Sequence, residues 1–174
     1  MIYIISLIVA GGVLALDLVT KSLAEAHAFN FVVIPELLKF ELAYNTGAAF
    51  SFLGDFKWAI PLFIAFTIIV LLAIIAFFVV TLIKKRKPSK WFFIALSLAF
   101  SGALGNMIDR IAFSKVRDFI YLFYNTDIFP AIFNVADIAL VVGLIMVVVY
   151  LLFLDKDAIL KKPQGKDGDG NDKN

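Results

Sequence analysis

The chain has 174 residues, of which 62% are hydrophobic and 17% charged, and its net charge is +2. A soluble domain is roughly half apolar and a quarter charged. This composition, with a mean hydropathy of +0.95, therefore excludes an ordinary water-soluble domain and predicts a membrane protein. The small net charge gives no reason to expect nucleic-acid binding. The absence of Cys and the single His, His27, exclude disulfides, thiol nucleophiles and multi-histidine metal sites. We expect neither a metal nor a cofactor.

Four apolar runs are long enough to cross roughly 30 Å of hydrocarbon as helices, which takes about 20 residues each. They are Ile2–Leu23, Trp58–Ile83, Trp91–Ile108 and Ile132–Leu154. The first run is also compatible with a cleaved signal peptide, because small residues alternate between Ala24 and Ala28. No Lys or Arg precedes that run, however, which favours a retained helix.

Basic residues between the second and third runs set the predicted orientation. Five of them fall in one short acid-free loop: Lys84, Lys85, Arg86, Lys87 and Lys90. Loops of this kind stay in the cytoplasm, which places both termini inside and segments 24–57 and 109–131 outside. Residues 1–162 are then one four-span membrane domain. Residues 163–174, rich in Gly, Asp and Lys, are predicted to be a disordered cytoplasmic tail.

The outer segments carry patterns of their own. Apolar side chains alternate with others along Leu38–Tyr44, which is the period of a half-buried strand, and Phe31–Ile34 is a candidate for a second strand. Segment 119–124 is too apolar for a free loop and is predicted to lie on the membrane surface. The predicted fold is an all-α integral membrane protein with four transmembrane helices, a small extracytoplasmic β element and a surface amphipathic segment.

Polar residues of the predicted spans gather at one depth, near the outer helix ends. They are Asp17, Lys21, Asn106, Asp109, Arg110, Asn134 and Asp137, together with Asp118 on the outer connection. Ionisable groups at such a depth usually face a bundle interior or a water-filled cavity. Ser101 and Gly105 are small residues one turn apart, which allows the third helix to approach a neighbour closely. These features predict a polar pocket that opens outward between the helices.

Asp118 and Asp137 are the carboxylates best suited to hydrolysis. A carboxylate pair needs one ionised member to activate water and one protonated member to donate a proton. Burial and a nearby like charge keep one acid protonated, and both residues lie in apolar stretches of sequence. Asp17 and Asp109 have a simpler interpretation, because Lys21 and Arg110 respectively are placed to hold them in structural ion pairs.

Five segments form a highly specific pattern: Asp17–Lys21, Asn45–Ser51, Gly102–Arg110, Val116–Phe119 and Phe133–Asp137. In content and order they resemble the motifs of the bacterial prolipoprotein signal peptidases, the signal peptidase II family, over most of residues 10–150. Two departures are visible. Leu18 stands where Gln is common in the family, and Ser101 stands where Gly is common. Neither belongs to the carboxylate pair.

The resemblance implies a four-helix aspartyl endopeptidase of the bacterial inner or plasma membrane, with its site near the extracytoplasmic surface. It implies prolipoprotein substrates whose Cys already carries diacylglycerol, cut on the amino side of that Cys. It further implies contact with membrane lipid and inhibition by globomycin-like cyclic peptides. The family's catalytic pair falls on Asp118 and Asp137. Substrate-binding or site-supporting positions fall on Asp17, Lys21, Asn45, Gly47, Asn106, Asp109, Arg110 and Asn134. We expect the protein to act as a monomer.

Two other function classes fit parts of the pattern. A small ion-coupled transporter would use intramembrane Asp residues, but it needs polar groups at mid-bilayer and on both sides, and usually an internal repeat. A serine-lysine peptidase would need Ser51 and Lys21 to act together, and nothing beyond the presence of both residue types supports that pairing. The absence of a glycine-rich phosphate loop ending in Lys-Ser or Lys-Thr argues against ATP use.

Overall fold

The computed structural model describes residues 1–46, 59–83, 89–126 and 131–154. In this part of the chain there are four long helices: α1 (Ile2–Ala26), α2 (Ala59–Ile83), α3 (Lys90–Phe113) and α4 (Val135–Val149), the last continued by a π-helical turn at Tyr150–Leu154. Each is long and apolar enough to cross a membrane. The four predicted spans are therefore confirmed as helices, and the chain is a multi-pass membrane protein. The basic residues 84–87 and the tail at 163–174 lie outside the described residues.

Capping residues, which hydropathy does not reveal, set two of the helix ends. α3 begins after Ser89, whose hydroxyl accepts a hydrogen bond from the backbone N–H of Phe92 at 3.5 Å, and it continues past the predicted end at Ile108. α4 begins later than predicted, because Asn134 caps it and the residues before the cap form a strand. The longer α3 places Asp109 inside a helix, in its last turns.

Within the described ranges, four short antiparallel strands form one sheet in the order β1-β2-β3-β4. They are β1 (Asn30–Ile34), β2 (Leu38–Asn45), β3 (Val116–Leu122) and β4 (Ala131–Phe133). The two predicted strands are confirmed as β1 and β2. β2 pairs with β3 so that Ala43 lies opposite Asp118 and Asn45 lies opposite Val116. Because the sheet follows the ends of α1 and α3 and precedes α4, it lies at one end of the bundle, hereafter the sheet end.

The segment predicted to lie on the membrane surface, 119–124, takes a different form. Its first residues belong to β3, an inner strand that pairs with β2 on one side and β4 on the other. Phe119 is only 3% exposed and the strand residues after it are half-buried, so pairing within the sheet accounts for part of the apolar run. The strand shows no alternation of buried and exposed residues, so there is no period of two to recognise.

A tight reversal joins α3 to β3. Ser114 ends the helix in the left-handed conformation, with φ 56°, and its N–H donates to the carbonyl oxygen of Arg110 at 3.0 Å. Few residues other than Gly adopt this conformation, but it closes a helix end efficiently. As a result β3 returns directly beside the helix that it follows.

The helices pack around α3, which lies against α1, α2 and α4. Small residues make the closest approaches. A methyl group on Gly102 would meet the backbone of Ala136 and Leu140 on α4, and one on Gly105 would lie 2.5 Å from a carboxylate oxygen of Asp17 on α1. The predicted close approach of the third helix is therefore confirmed, although Gly102 contributes to it alongside Gly105. This packing brings polar residues of three helices together at the sheet end.

Candidate active site

Asp118 projects from the central strand β3 and is only 3% exposed. Its two carboxylate oxygens accept hydrogen bonds from two side-chain amides. Asn45 on the paired strand β2 donates through Nδ2 to Oδ2 at 3.0 Å, and Asn134 donates through Nδ2 to Oδ1 at 2.6 Å. The sheet register explains the first contact, because Asn45 and Asp118 lie close together on adjacent strands.

Asp137 lies in the first turn of α4 and forms a capping box with Asn134. The backbone N–H of Asn134 donates to Asp137 Oδ2 at 3.0 Å, and Asn134 Oδ1 accepts from the backbone N–H of Asp137 at 2.9 Å. The other carboxylate oxygen accepts from Asn106 Nδ2 at 2.7 Å. The Asn-x-x-Asp spacing at 134–137 thus begins the helix and at the same time orients the carboxylate.

Both carboxylates line one cavity of about 620 Å³. The sheet, α2, α3 and α4 form its walls. Most of the lining residues are apolar, and the polar ones lie around the two acids. The lining residues are Asn45, Phe63, Arg110, Val116, Asp118, Ala131, Ile132, Phe133, Asp137, Ile138, Leu140, Val141 and Val142. A second cavity of about 330 Å³ lies among α1, α2 and α3, and none of the described residues that line it carries a carboxylate. Of these two cavities, the first therefore holds the carboxylates.

Burial changes the acidity of Asp118. Loss of contact with water, and secondarily the negative charge of Asp137, raise the pKa of Asp118 from 3.8 to about 7, while the amides of Asn45 and Asn134 act in the opposite direction. Asp118 is thus an acid that still holds its proton near neutral pH. A carboxyl group in this condition can donate a proton to a reacting group.

A buried ion-pair network lies behind the two acids. Lys21 Nζ is 2.9 Å from Asp17 Oδ2 and 3.6 Å from Asp109 Oδ2, and all three side chains have no solvent exposure. Asp109 also accepts hydrogen bonds from the guanidinium of Arg117, at 2.7 Å and 3.2 Å. Arg117 in turn reaches Glu25 at 2.9 Å. The network joins α1, α3 and β3 at the sheet end.

The network confirms one predicted ion pair and corrects another. Asp17 and Lys21 form the predicted pair one turn apart on α1. The predicted pairing of Asp109 with Arg110 is wrong, because Asp109 binds Arg117 instead. Neighbours on a helix diverge, whereas the reversal after α3 returns Arg117 alongside Asp109. The Arg110 guanidinium lies 5.5 Å from the ring of Phe63, on the wall of the cavity.

Asn106 connects the network to the acids. Its Oδ1 accepts hydrogen bonds from Lys21 Nζ at 3.0 Å and from Asn134 Nδ2 at 3.1 Å, while its Nδ2 donates to Asp137. Asp17 reaches the same region through the backbone of α4, because its Oδ1 accepts from the N–H of Ala136 at 2.8 Å. Asparagine side chains thus separate the charged network from the two carboxylates.

Of the ten predicted site residues, nine lie among the described residues and gather at the sheet end; they are Asp17, Lys21, Asn45, Asn106, Asp109, Arg110, Asp118, Asn134 and Asp137. Gly47 lies outside the described residues. Two residues of the network, Arg117 and Glu25, were not predicted. No pattern in the sequence pointed to either residue, because the strand that carries Arg117 does not alternate between buried and exposed positions.

Known proteins match the chain over most of its length. The sequence model of the family described as "Signal peptidase (SPase) II" matches residues 9–153. A lipoprotein signal peptidase of Pseudomonas paraeruginosa is 44% identical over 139 residues, which are 77% of this chain and 79% of the relative. One of Geobacter metallireducens is 40% identical over 156 residues, covering 88% of this chain and 90% of the relative.

A solved structure has the same fold. It is described as a bacterial membrane enzyme, superposes with a TM-score of 0.72 at 33% sequence identity, and the match covers 90% of this chain and 93% of that one. A second structure with the same description gives a TM-score of 0.71 at 36% identity. With the family match across residues 9–153, these likenesses show that the chain belongs to the signal peptidase II family.

Proposed function

We propose that this chain removes the signal peptide from diacylglyceryl-modified prolipoproteins by an aspartyl mechanism, cutting on the amino side of the lipidated Cys. Membership of the family makes the chain a protease, and its relatives are named lipoprotein signal peptidases. The aspartyl mechanism rests on the arrangement of two acids. Asp118 and Asp137 line the same cavity, both bind Asn134, and one of them has a pKa near neutrality.

The raised pKa of Asp118 makes it the member of the pair that holds the proton. In the proposed reaction Asp137 takes a proton from water, and the water oxygen attacks the scissile carbonyl carbon. Asp118 donates its proton to the carbonyl oxygen. When this intermediate collapses, Asp137 gives its proton to the departing amine of the lipidated Cys and the C–N bond breaks. Asp118 recovers a proton from one hydroxyl of the gem-diol as that carbon becomes the new carboxyl group. The pair thus ends with the number of protons it began with.

The rest of the cavity suits an apolar substrate at the membrane surface. Its α4 wall presents Ile138, Val141 and Val142, and α2 presents Phe63, which matches the apolar core of a signal peptide and the acyl chains of a lipidated Cys. Arg110, on the same wall, is placed to bind a substrate carbonyl. A globomycin-like cyclic peptide would compete for this space, with a hydroxyl between the two carboxylates in place of water.

The proposed orientation places this cavity on the extracytoplasmic side. α2 ends at Ile83 and α3 begins at Lys90 at the end opposite to the sheet. The sequence between them is rich in Lys and Arg, and loops of this kind stay in the cytoplasm. Both termini then face the cytoplasm. Substrates that have crossed the membrane would meet the site where the signal peptide ends.

Neither rival explains the site as well. Lys21 is buried and engaged with Asp17, Asp109 and Asn106, so it is poorly placed to act as a base for Ser51, which lies outside the described residues. Among the described residues, the buried charged side chains are Asp17, Lys21, Asp109, Arg117 and Asp118. All of these lie at the sheet end, which is unlike a transport path through the membrane.

The deciding experiment compares two peptides that differ only in diacylglycerol on the Cys. Purified wild-type protein should cut the diacylated peptide before the Cys and leave the unlipidated one intact. Asp118→Asn and Asp137→Asn should fold normally but lose about 10²–10⁴-fold in rate, which is what general acid–base catalysis contributes. Lys39→Met is the matched control, because among the described residues the ion-pair partner of Lys39 is Glu41, on the same strand and outside the site. Equal cleavage of both peptides, or a dyad variant that keeps more than about a tenth of the rate, would refute the proposal.

A further inference from the structure

Lys21 has one contact that ion pairing does not explain. Two of its three partners are the carboxylates of Asp17 and Asp109, and the charge of the ammonium group offsets theirs. The third, at 3.0 Å, is the neutral amide oxygen of Asn106. That amide also binds Asp137, so a fully buried cation on α1 is one residue removed from a proposed catalytic acid on α4.

The ammonium group favours one orientation of the Asn106 amide. A Lys side chain carries only donors and an ionised carboxylate only acceptors, whereas an Asn amide has one acceptor end and one donor end. With Lys21 on one side and Asp137 on the other, Asn106 must turn Oδ1 to the lysine and Nδ2 to the carboxylate. The reverse orientation would place NH2 against NH3⁺ and oxygen against carboxylate, which is repulsive on both sides.

We propose that Lys21 is a positioning residue for the peptidase reaction, holding the Asn106 amide so that its N–H group stays aimed at Asp137. The inference rests on the proposed function, since it needs Asp137 to be catalytic. Asn134 supports the same oxygen of Asn106 from α4 at 3.1 Å. The amide is thus held by donors from two different helices, and only Lys21 ties it to α1.

If Lys21 were only a counter-ion, variants of Lys21 and Asp17 would give a different result. Lys21→Met alone leaves Asp17 buried without its cation, which is strongly destabilising whatever the lysine does for catalysis. Asp17→Asn combined with Lys21→Met removes one charge of each sign. Asp109 then still has Arg117, with contacts at 2.7 Å and 3.2 Å. The double variant therefore separates the loss of the donor from the loss of charge balance.

The test compares wild type, Asp17→Asn, Lys21→Met and the double variant, with Lys39→Met as the control for losing a half-buried lysine outside the site. Thermal unfolding gives Tm, and cleavage of the diacylated peptide gives kcat and KM. The double variant should regain the Tm of Asp17→Asn, while its kcat stays about ten-fold below that of Asp17→Asn, as expected for a displaced catalytic group. KM should remain within about two-fold, because binding is unaffected.

Recovery of kcat together with Tm in the double variant would overturn the inference and leave Lys21 as a counter-ion only. A loss confined to KM would overturn it as well. Failure of the proposed function gives a separate result, since wild-type protein would then leave the diacylated peptide uncut.

Discussion

At the scale of single residues, the two acids are held by neutral donors. Asn134 gives its backbone N–H to Asp137 and its side-chain amide to Asp118, and Asn45 and Asn106 supply the remaining contacts. Among the described residues, no ion pair includes either acid. A cation in direct contact would favour the ionised form of both. Amides fix the positions of the carboxylates and still allow one of them to keep a proton.

Asp118 should give the reaction its pH dependence. Because burial and the charge of Asp137 raise its pKa to about 7, the proton that it donates is lost as pH rises through that value. We expect kcat/KM for the diacylated peptide, measured from about pH 5 to pH 9, to fall above about pH 7, by up to ten-fold per pH unit. Lys39→Met should show the same fall. A rate that stays flat or rises above pH 7 would assign the proton to another group.

The same shift has a consequence for stability. The folded protein binds the Asp118 proton more tightly than the unfolded chain, whose Asp has a pKa near 3.8. This contribution to stability is therefore fully present below about pH 4 and is lost as pH rises through about 7. The folded protein therefore loses stability at the pH where Asp118 begins to ionise, as is common for ionisable groups at functional sites.

Sequence reasoning was more successful in grouping the polar residues of the sheet end than in pairing them. Asp118 and Asp137 stood out as acids in apolar stretches, and Asp17 and Lys21 are paired by helix periodicity alone. The partner of Asp109 could not be predicted, because it depends on the reversal at Ser114 that returns Arg117 beside α3. A contact that depends on a chain reversal produces no periodic pattern of residue types in the sequence.

At the scale of secondary structure, helix predictions succeeded and sheet predictions succeeded in part. Length and hydropathy identify a membrane span in the sequence, and the alternation of apolar residues identifies β2. β3 does not alternate because it is an inner strand, and β4 has only three residues, too few to show any period. The sheet is formed by segments far apart in sequence, so it depends on tertiary packing that local pattern does not contain.

The contact between α3 and α4 gives a prediction at this scale. A methyl group on Gly102 would collide with the backbone of α4 at Ala136 and Leu140, whereas one on Gly12 would meet nothing within 4 Å. Gly102→Ala should therefore destabilise the protein by about 1–3 kcal/mol. Gly12→Ala, in an exposed part of α1, should be neutral or stabilising by up to about 1 kcal/mol. Thermal unfolding of the two purified variants measures the difference, and equal Tm values would mean that the helices can separate without cost.

At the scale of the whole molecule, the fold confines its buried charges to one end. Three helices and the sheet meet there, and the described spans away from that end carry apolar surfaces suited to lipid. Asp17 is distant in sequence from Asp109 and Asp118 but shares this end with them because α1 and α3 both run toward the sheet. A water-accessible peptidase site can therefore exist beside the hydrocarbon without a polar path across it.

The orientation of the sheet end in the membrane can be tested with single cysteines. The chain has no native Cys, so a single thiol can be introduced at each end without background. Asn30 lies on β1 at the sheet end, and Lys90 begins α3 at the other end; both are exposed. With the basic loop in the cytoplasm, a membrane-impermeant maleimide should label Asn30→Cys on intact cells and Lys90→Cys only in inverted vesicles. Both should be labelled after permeabilisation, which controls for thiol reactivity. The opposite pattern would place the carboxylates on the cytoplasmic side, away from translocated lipoproteins, and the proposed function would fail with it.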